Sequence, residues 1–190
     1  NTRDLIINAG GRNDQVVSGD GDDVINGEGG NDLLDGGAGA DTFDGGFGDD
    51  IFSINSAAQT RTSDFDATDT DFSNIDTIVN FKTSTEGDTI ELASGSAFFS
   101  GLTFAGNATV TVTSATVTSA DDFQDVFDAL VSTTASTSTE AQAYHVTIAG
   151  GALTGEVLVI NDGTSAIDAN DMFISITTEE TLESSNILFF

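Results

Sequence analysis

The chain of 190 residues has no cysteine, no proline and only 4 lysine plus arginine residues. Without cysteine it can form neither a disulfide nor a thiolate metal site. Without proline, against a usual share of about 5%, no slow prolyl isomerisation delays folding. It also lacks the run of about 20 apolar residues that a transmembrane helix needs. No cleavable leader is legible at the start, which is Asn1 rather than Met, so the chain reads as the C-terminal piece of a longer protein. The few basic residues stand against 32 acids, for a net charge of −28. Nucleic acid and anionic membrane are polyanions and are excluded as natural partners, which leaves cations.

What the chain does have is glycine, concentrated before residue 50, in a strict pattern. Asp14, Asp23, Asp32, Asp41 and Asp50 are evenly spaced, and each closes a glycine-rich turn before a short apolar step. In phase the segments read AGGRNDQVV (9–17), SGDGDDVIN (18–26), GEGGNDLLD (27–35), GGAGADTFD (36–44) and GGFGDDIFS (45–53). The last two match G-G-x-G-x-D-x-U-x, with U apolar, at every fixed position. Ser18 and Glu28 are single departures in the second and third, and Ala9 and Arg12 are two in the first. A solvated linker has no reason to hold this phase with an apolar residue always in one slot.

The spacing predicts a six-residue turn and a three-residue strand, so that two repeats complete one circuit of a flattened coil. Val16, Ile25, Leu34, Phe43 and Phe52 then point inward as its thin core. Turns on one side recur every second repeat, stacking Asp14, Asp32 and Asp50 on one edge and Asp23 and Asp41 on the other. NTRDLIIN (1–8) has Ile7 in the apolar slot but Leu5 in place of Asp, so no further turn is expected upstream. Stacked carboxylates about 5 Å apart repel by roughly 3 kcal/mol at an effective dielectric of about 20. Calcium, which takes six to eight oxygens from carboxylates and carbonyls alike, relieves that repulsion; magnesium holds its waters and fits less well. The repeats supply three complete sandwiches: Asp14 with Asp32, Asp32 with Asp50, and Asp23 with Asp41. The carbonyls of the facing turns, at Gly19, Gly21, Gly30, Gly37, Gly39, Gly46 and Gly48, complete the oxygen set.

These nonapeptides resemble those of RTX (repeats-in-toxin) proteins, which bind calcium in a parallel β-roll. The resemblance implies an all-β fold, with a right-handed parallel β-roll followed by a β-rich antiparallel cap carrying one helix. IDTIVNF (75–81) and DTIELA (88–93) resemble the D-x-I-x-D-F … D-x-I-x-L segment that follows the roll in RTX proteases and alginate epimerase modules. Asp76 and Asp88 occupy the leading acid positions, and Asn80 stands where that pattern has Asp. The resemblance implies that Asp76 closes the final turn with calcium. The tail TLESSNILFF (181–190) resembles the uncleaved signal read by type I exporters, and is equally a final edge strand.

Between these segments, 54–74 is polar and aperiodic, a loop or irregular cap. TVTVTSATVT (109–118), AYHVTIA (143–149), GEVLVIN (155–161) and MFISITT (172–178) read as strands. SADDFQDVFDALVS (119–132) reads as a helix capped by Ser119 with Asp122 three residues on. Its apolar stripe is Phe123, Val126, Phe127, Leu130 and Val131. Asp162, Asp168 and Asp171 lack the order of an EF-hand loop and read as a polar turn, with a further calcium as the other reading. The single histidine, His145, falls opposite Tyr144, Val146 and Ile148 on what should be a wet strand face. With no G-x-S-x-G elbow and no H-E-x-x-H helix, no residue is assigned a catalytic role.

The expected organisation is a calcium-binding roll over 1–53 and a cap over 54–190 that ends in an export signal. The expected function is a calcium-dependent folding and secretion module, extracellular or at the cell surface, in an S-layer or adhesin type of protein. A non-catalytic module of a secreted protease, lipase or polysaccharide epimerase is the alternative. Calcium ions and a type I exporter are the expected partners, with self-association into an oligomer or surface lattice, and without nucleic acid or membrane insertion.

Overall fold

Two left-handed bends in each of the last four repeats set the course of the chain. The computed structural model describes residues 3–54, 69–83, 87–92, 112–133, 142–161, 171–178, 182 and 184–189. Gly19, Gly37 and Gly46 at the second repeat position, and Gly21, Gly30, Gly39 and Gly48 at the fourth, have φ between 92° and 140°. Glycine adopts that region without steric cost. The strands of the roll are β1 (Ile6–Gly11), β2 (Gln15–Asp20), β3 (Val24–Gly29), β4 (Leu33–Ala38), β5 (Thr42–Asp44) and β6 (Ile51–Ile54), and β2 and β4 run through the bends at Gly19 and Gly37. The first four have 6 residues each because ladder pairing continues past the three-residue step and through the second-position bend.

Odd strands stack in one parallel sheet and even strands in the other, each residue paired with its equivalent two repeats on. Ile7 meets Ile25 and Ile25 meets Phe43, while Val16 meets Leu34 and Leu34 meets Phe52. The inward column is as the repeat slot predicts: Ile25, Leu34, Phe43 and Phe52 are fully buried, with Val16 slightly open at the first rung. Phe43 and Phe52 pack edge to face at 5.9 Å.

An upstream turn does exist, contrary to expectation. β1 pairs with β3, and the Leu5 N–H donates to Asp23 Oδ1 at 2.8 Å. The bond needs only a backbone donor from residue 5, and Ile7 packs against the interior. The ladders also continue past residue 53. β7 (Thr77–Phe81) pairs in parallel with β5, and β8 (Thr89–Leu92) with β6. Ile78 and Ile90 extend the buried column.

The cap grows from the roll's own sheets. β12 (Met172–Thr178) lies parallel to β7, followed by β11 (Gly155–Asn161), β10 (Gln142–Ile148) and β9 (Val112–Val117). The β12–β11 and β11–β10 pairs are antiparallel, and β10–β9 is parallel. β13 (Ile187–Phe189) adds to β8 in parallel and completes the second sheet. The interior column runs on into Leu158, Ile160, Ile174, Ile176 and Ile187. On the outer face, α1 (Phe123–Thr133) sets Phe123, Val126 and Leu130 against Tyr144, Val146, Val157, Val159 and Phe173. Among the described residues, no helix is long and apolar enough to cross a membrane.

Two local expectations are corrected. The helix starts at Phe123 and its cap is Asp122, whose Oδ1 accepts the Asp125 N–H at 2.9 Å. Ser119 is too early because its neighbour Ala120 is held against the β10–β11 turn by bonds with Gly150 and Leu153. His145 is buried, because the strand face opposite Tyr144 continues the roll interior, as its neighbour Ala143 shows. Its Nε2 lies 3.5 Å from Glu156 Oε2. Asp162 and Asp168 lie outside the described residues, as do 55–68, 109–111 and the Val131 side chain; Asp171 is buried.

Candidate metal centre

From the second repeat on, the sixth residue reaches back one turn of the same edge. On one edge the Asp14 N–H donates to Asp32 Oδ1 at 2.8 Å, and the Asp32 N–H to Asp50 Oδ1 at 2.9 Å. On the other, the Asp23 N–H donates to Asp41 Oδ1 and the Asp41 N–H to Asp76 Oδ1, both at 2.8 Å. The expected columns therefore form, and Asp76 joins the second of them. The fifth repeat residue makes a counter-ladder that points forward: Asn13 Oδ1 accepts from Asn31, Asn31 Oδ1 from Asp49, and Asp22 Oδ1 from Ala40. The nine-residue phase displays these residues but gives no hint of the direction of either ladder.

One oxygen of each acid is thus used by the backbone. The other, Oδ2 of Asp23, Asp32 and Asp41, is buried without a hydrogen-bond partner. These three acids are about 1% exposed, and an unpaired buried carboxylate is costly. The empty side of the first-position glycines faces the same atoms. A Cβ on Gly27 would meet Asp32 Oδ2 and the Gly45 carbonyl, and one on Gly36 would meet Asp41 Oδ2. Carboxylate and carbonyl oxygens thus converge on a space that only glycine leaves open, which suits a hard, oxygen-seeking cation. Among the described residues no group of three or more acidic or histidine side chains forms a metal cluster, so backbone oxygens must share the coordination.

Electrostatics point the same way. Burial pushes the Asp41 carboxyl up to about 7, and the charges of Asp23, Asp22 and Asp35 push in the same direction. Burial raises Asp76 well above the usual range, again with acidic neighbours adding to it. A cation between the turns would offset both the burial and the acidic neighbours by favouring the ionised form. A trough of about 410 Å³ runs along the other edge, lined by Asn13, Asp14, Asn31, Asp32, Asp49 and Asp50. Asp14, on the first turn of its edge, is only half-buried.

Gly19, Gly21, Gly30, Gly37, Gly39, Gly46 and Gly48 all lie in the turns that bound these intervals. A Cβ on Gly37 would strike the Gly19 carbonyl, and one on Gly48 the Gly30 carbonyl, so their first role is to let turns stack. The repeat count misses Asp88. It continues the first column, with Oδ1 accepting the Asp50 N–H at 3.1 Å. Its likeness to an acid-led strand segment is the only trace of this in the sequence, because an insertion breaks the phase.

Residues 6–34 and 17–52 match the family model of the RTX calcium-binding nonapeptide repeat (4 copies). Comparison with curated proteins gives no match. Among solved structures, the chain is similar to a subunit of the Azotobacter vinelandii mannuronan C5-epimerase, determined in solution, at 22% identity and a TM-score of 0.51. The likeness covers 97% of this chain and 77% of that one. It shows a shared β-roll fold, and the repeat match shows that this roll is built from calcium-binding repeats.

Proposed function

We propose that this calcium-binding repeat domain is a folding and secretion module of an extracellular protein of the S-layer or adhesin type. The buried, partnerless Oδ2 atoms of Asp23, Asp32 and Asp41 carry the calcium step. Calcium, when bound, supplies the positive charge that these columns lack. Asp14 with Asp32, Asp32 with Asp50, Asp23 with Asp41, and Asp41 with Asp76 would hold it, together with turn carbonyls. A site with a dissociation constant of about 10 µM stabilises the fold by about 2.7 kcal/mol in roughly millimolar calcium, and by almost nothing at submicromolar levels. The chain can then stay expanded inside the cell, pass a type I exporter unfolded and order outside. Its own part is non-catalytic. Strong acidity, a Ser/Thr-rich cap and the absence of cysteine support a surface protein whose acidic neighbours calcium can bridge.

A second reading, an accessory module of a secreted polysaccharide-modifying enzyme, is favoured by the epimerase-subunit likeness along nearly the whole chain. A calcium titration followed by circular dichroism tests the shared premise. Strand signal should rise sigmoidally with calcium and far less with magnesium, and a roll equally ordered in excess EDTA rejects it. Light scattering of the calcium-loaded chain, beside titration with mannuronan, separates the two settings. Self-association supports the first and polymer binding the second.

A further inference from the structure

Two non-glycine residues with positive φ occur among the described residues, Glu28 at 71° and Asn80 at 57°. Both line one pocket of about 700 Å³ at the ends of β3, β5, β7 and β12. Backbone strain of this kind gathers at functional sites. The origin of the second is a bulge. Between Ile78 and Phe81 β7 has two residues, where β12 has one between Ile176 and Thr178. A bulge re-aims a side chain, and Asn80 is exposed, with its Nδ2 donating to Asp44 Oδ2 at 2.9 Å. Beside Asp44 in the ladder, Asn26 also lines the pocket, and its Nδ2 donates to Asn8 Oδ1 at 2.8 Å. These carboxamides and this carboxylate have more donor and acceptor capacity than one bond each uses. Phe47 completes the pocket and is 74% exposed. The Lys82 ammonium, bonded to the Gly46 carbonyl, lies 5.1 Å from the centre of its ring.

We infer that this pocket binds a neutral saccharide chain. An open aromatic ring beside a few placed polar groups is the usual make-up of a small-molecule site. The Phe47 ring offers an apolar surface to the C–H face of a sugar. Carboxamides and a carboxylate suit vicinal hydroxyls, which both donate and accept. A purely apolar ligand would leave those groups without partners. Glu28 and Asp44, in a chain of net charge −28, repel a uronate or any other polyanion. The ligand is thus distinct from the mannuronan of the second reading. A basic peptide finds the cation's place at the ring already taken by Lys82. The site lies on the outside of the roll and serves a surface protein or an enzyme's accessory module equally.

Amide NMR of the calcium-loaded chain tests this, with neutral gluco- and manno-oligosaccharides as probes and with mannuronan oligomers and oligoarginine beside them. A neutral oligosaccharide should shift the Gly46, Phe47 and Asn80 amides. Phe47→Ala should weaken that binding by about tenfold or more. Its melting temperature should stay near that of the wild type, because the ring is exposed. Glu28→Gly should lower the affinity by about threefold while raising stability, the opposite movements expected when strain serves binding. If no neutral oligosaccharide shifts these amides, the inference is overturned. Equal binding by Phe47→Ala also overturns it, as does tighter binding of mannuronan or oligoarginine at the same amides.

Discussion

Glu28 is the residue at which this sequence departs most expensively from its own repeat. It occupies the second position, where Gly19, Gly37 and Gly46 have positive φ, and it adopts φ 71° itself. A side chain in the left-handed region costs about 1–2 kcal/mol, and Glu28 is exposed, so it recovers little by packing. Glu28→Gly is therefore expected to stabilise the calcium-loaded roll by about 0.5–1 kcal/mol, once the greater freedom of unfolded glycine is deducted. Chemical denaturation at saturating calcium measures it; a destabilised variant would show that the Glu28 side chain has an attractive partner. The ladder directions also rank the acids. Asp32 lies between Asp14 and Asp50, and Asp41 between Asp23 and Asp76, whereas Asp23 has Leu5 upstream. Asp32→Ala and Asp41→Ala should each weaken calcium binding by about tenfold more than Asp23→Ala, equivalent to roughly 1.4 kcal/mol. Equal losses in calorimetry would contradict shared ligands.

At the scale of elements, the repeats, several strands and the helix stripe are legible because each has a period. The insertion after Ile54 destroys that count. Asp76 follows Asp41 by 35 residues and Asp88 follows Asp50 by 38, where the repeats give 18. Backbone pairing tolerates such a change and a periodicity search does not. His145 is misjudged for a related reason: alternation identifies two faces of β10 but cannot say that both are covered. The tail shows what structure adds. Ile187 is fully buried on β8, and Asn186 Nδ2 donates to the Asp88 carbonyl at 3.0 Å, whereas Leu188 is 37% exposed. Deleting residues 186–190 removes at least one buried side chain, worth about 1.5–3 kcal/mol, and should lower the melting temperature by roughly 4–10 °C. Leu188→Asp should leave it nearly unchanged. If the tail is also an exporter's address, both changes cut secretion from a type I-competent host. Normal export of Leu188→Asp beside poor export of the deletion would reduce the tail to an edge strand.

Across the whole molecule, protons and calcium compete for the same buried oxygens, and the sign of that competition can be worked out. Asp41 is raised from 3.8 to about 7, and Asp88 from 3.8 to about 6, both chiefly by burial. A carboxyl whose pKa is higher in the folded state binds its proton more tightly there, so stability falls as pH rises. In EDTA the contribution of these groups is complete below about pH 4 and is lost through the window up to about pH 7. Calcium reverses the slope, because the metal requires the ionised form and its apparent affinity must rise over the same window. The metal-free chain should therefore melt at a higher temperature at pH 5 than at pH 8, and the calcium-loaded chain at a lower one. The net charge of −28 adds general repulsion in the same direction for the metal-free chain, so the pH slope alone does not identify the groups. Asp41→Asn does. It cannot titrate, and in EDTA it should flatten the melting temperature between pH 5 and 7 by comparison with the wild type. A slope unchanged by that substitution would assign the effect to overall charge and remove Asp41 from the switch.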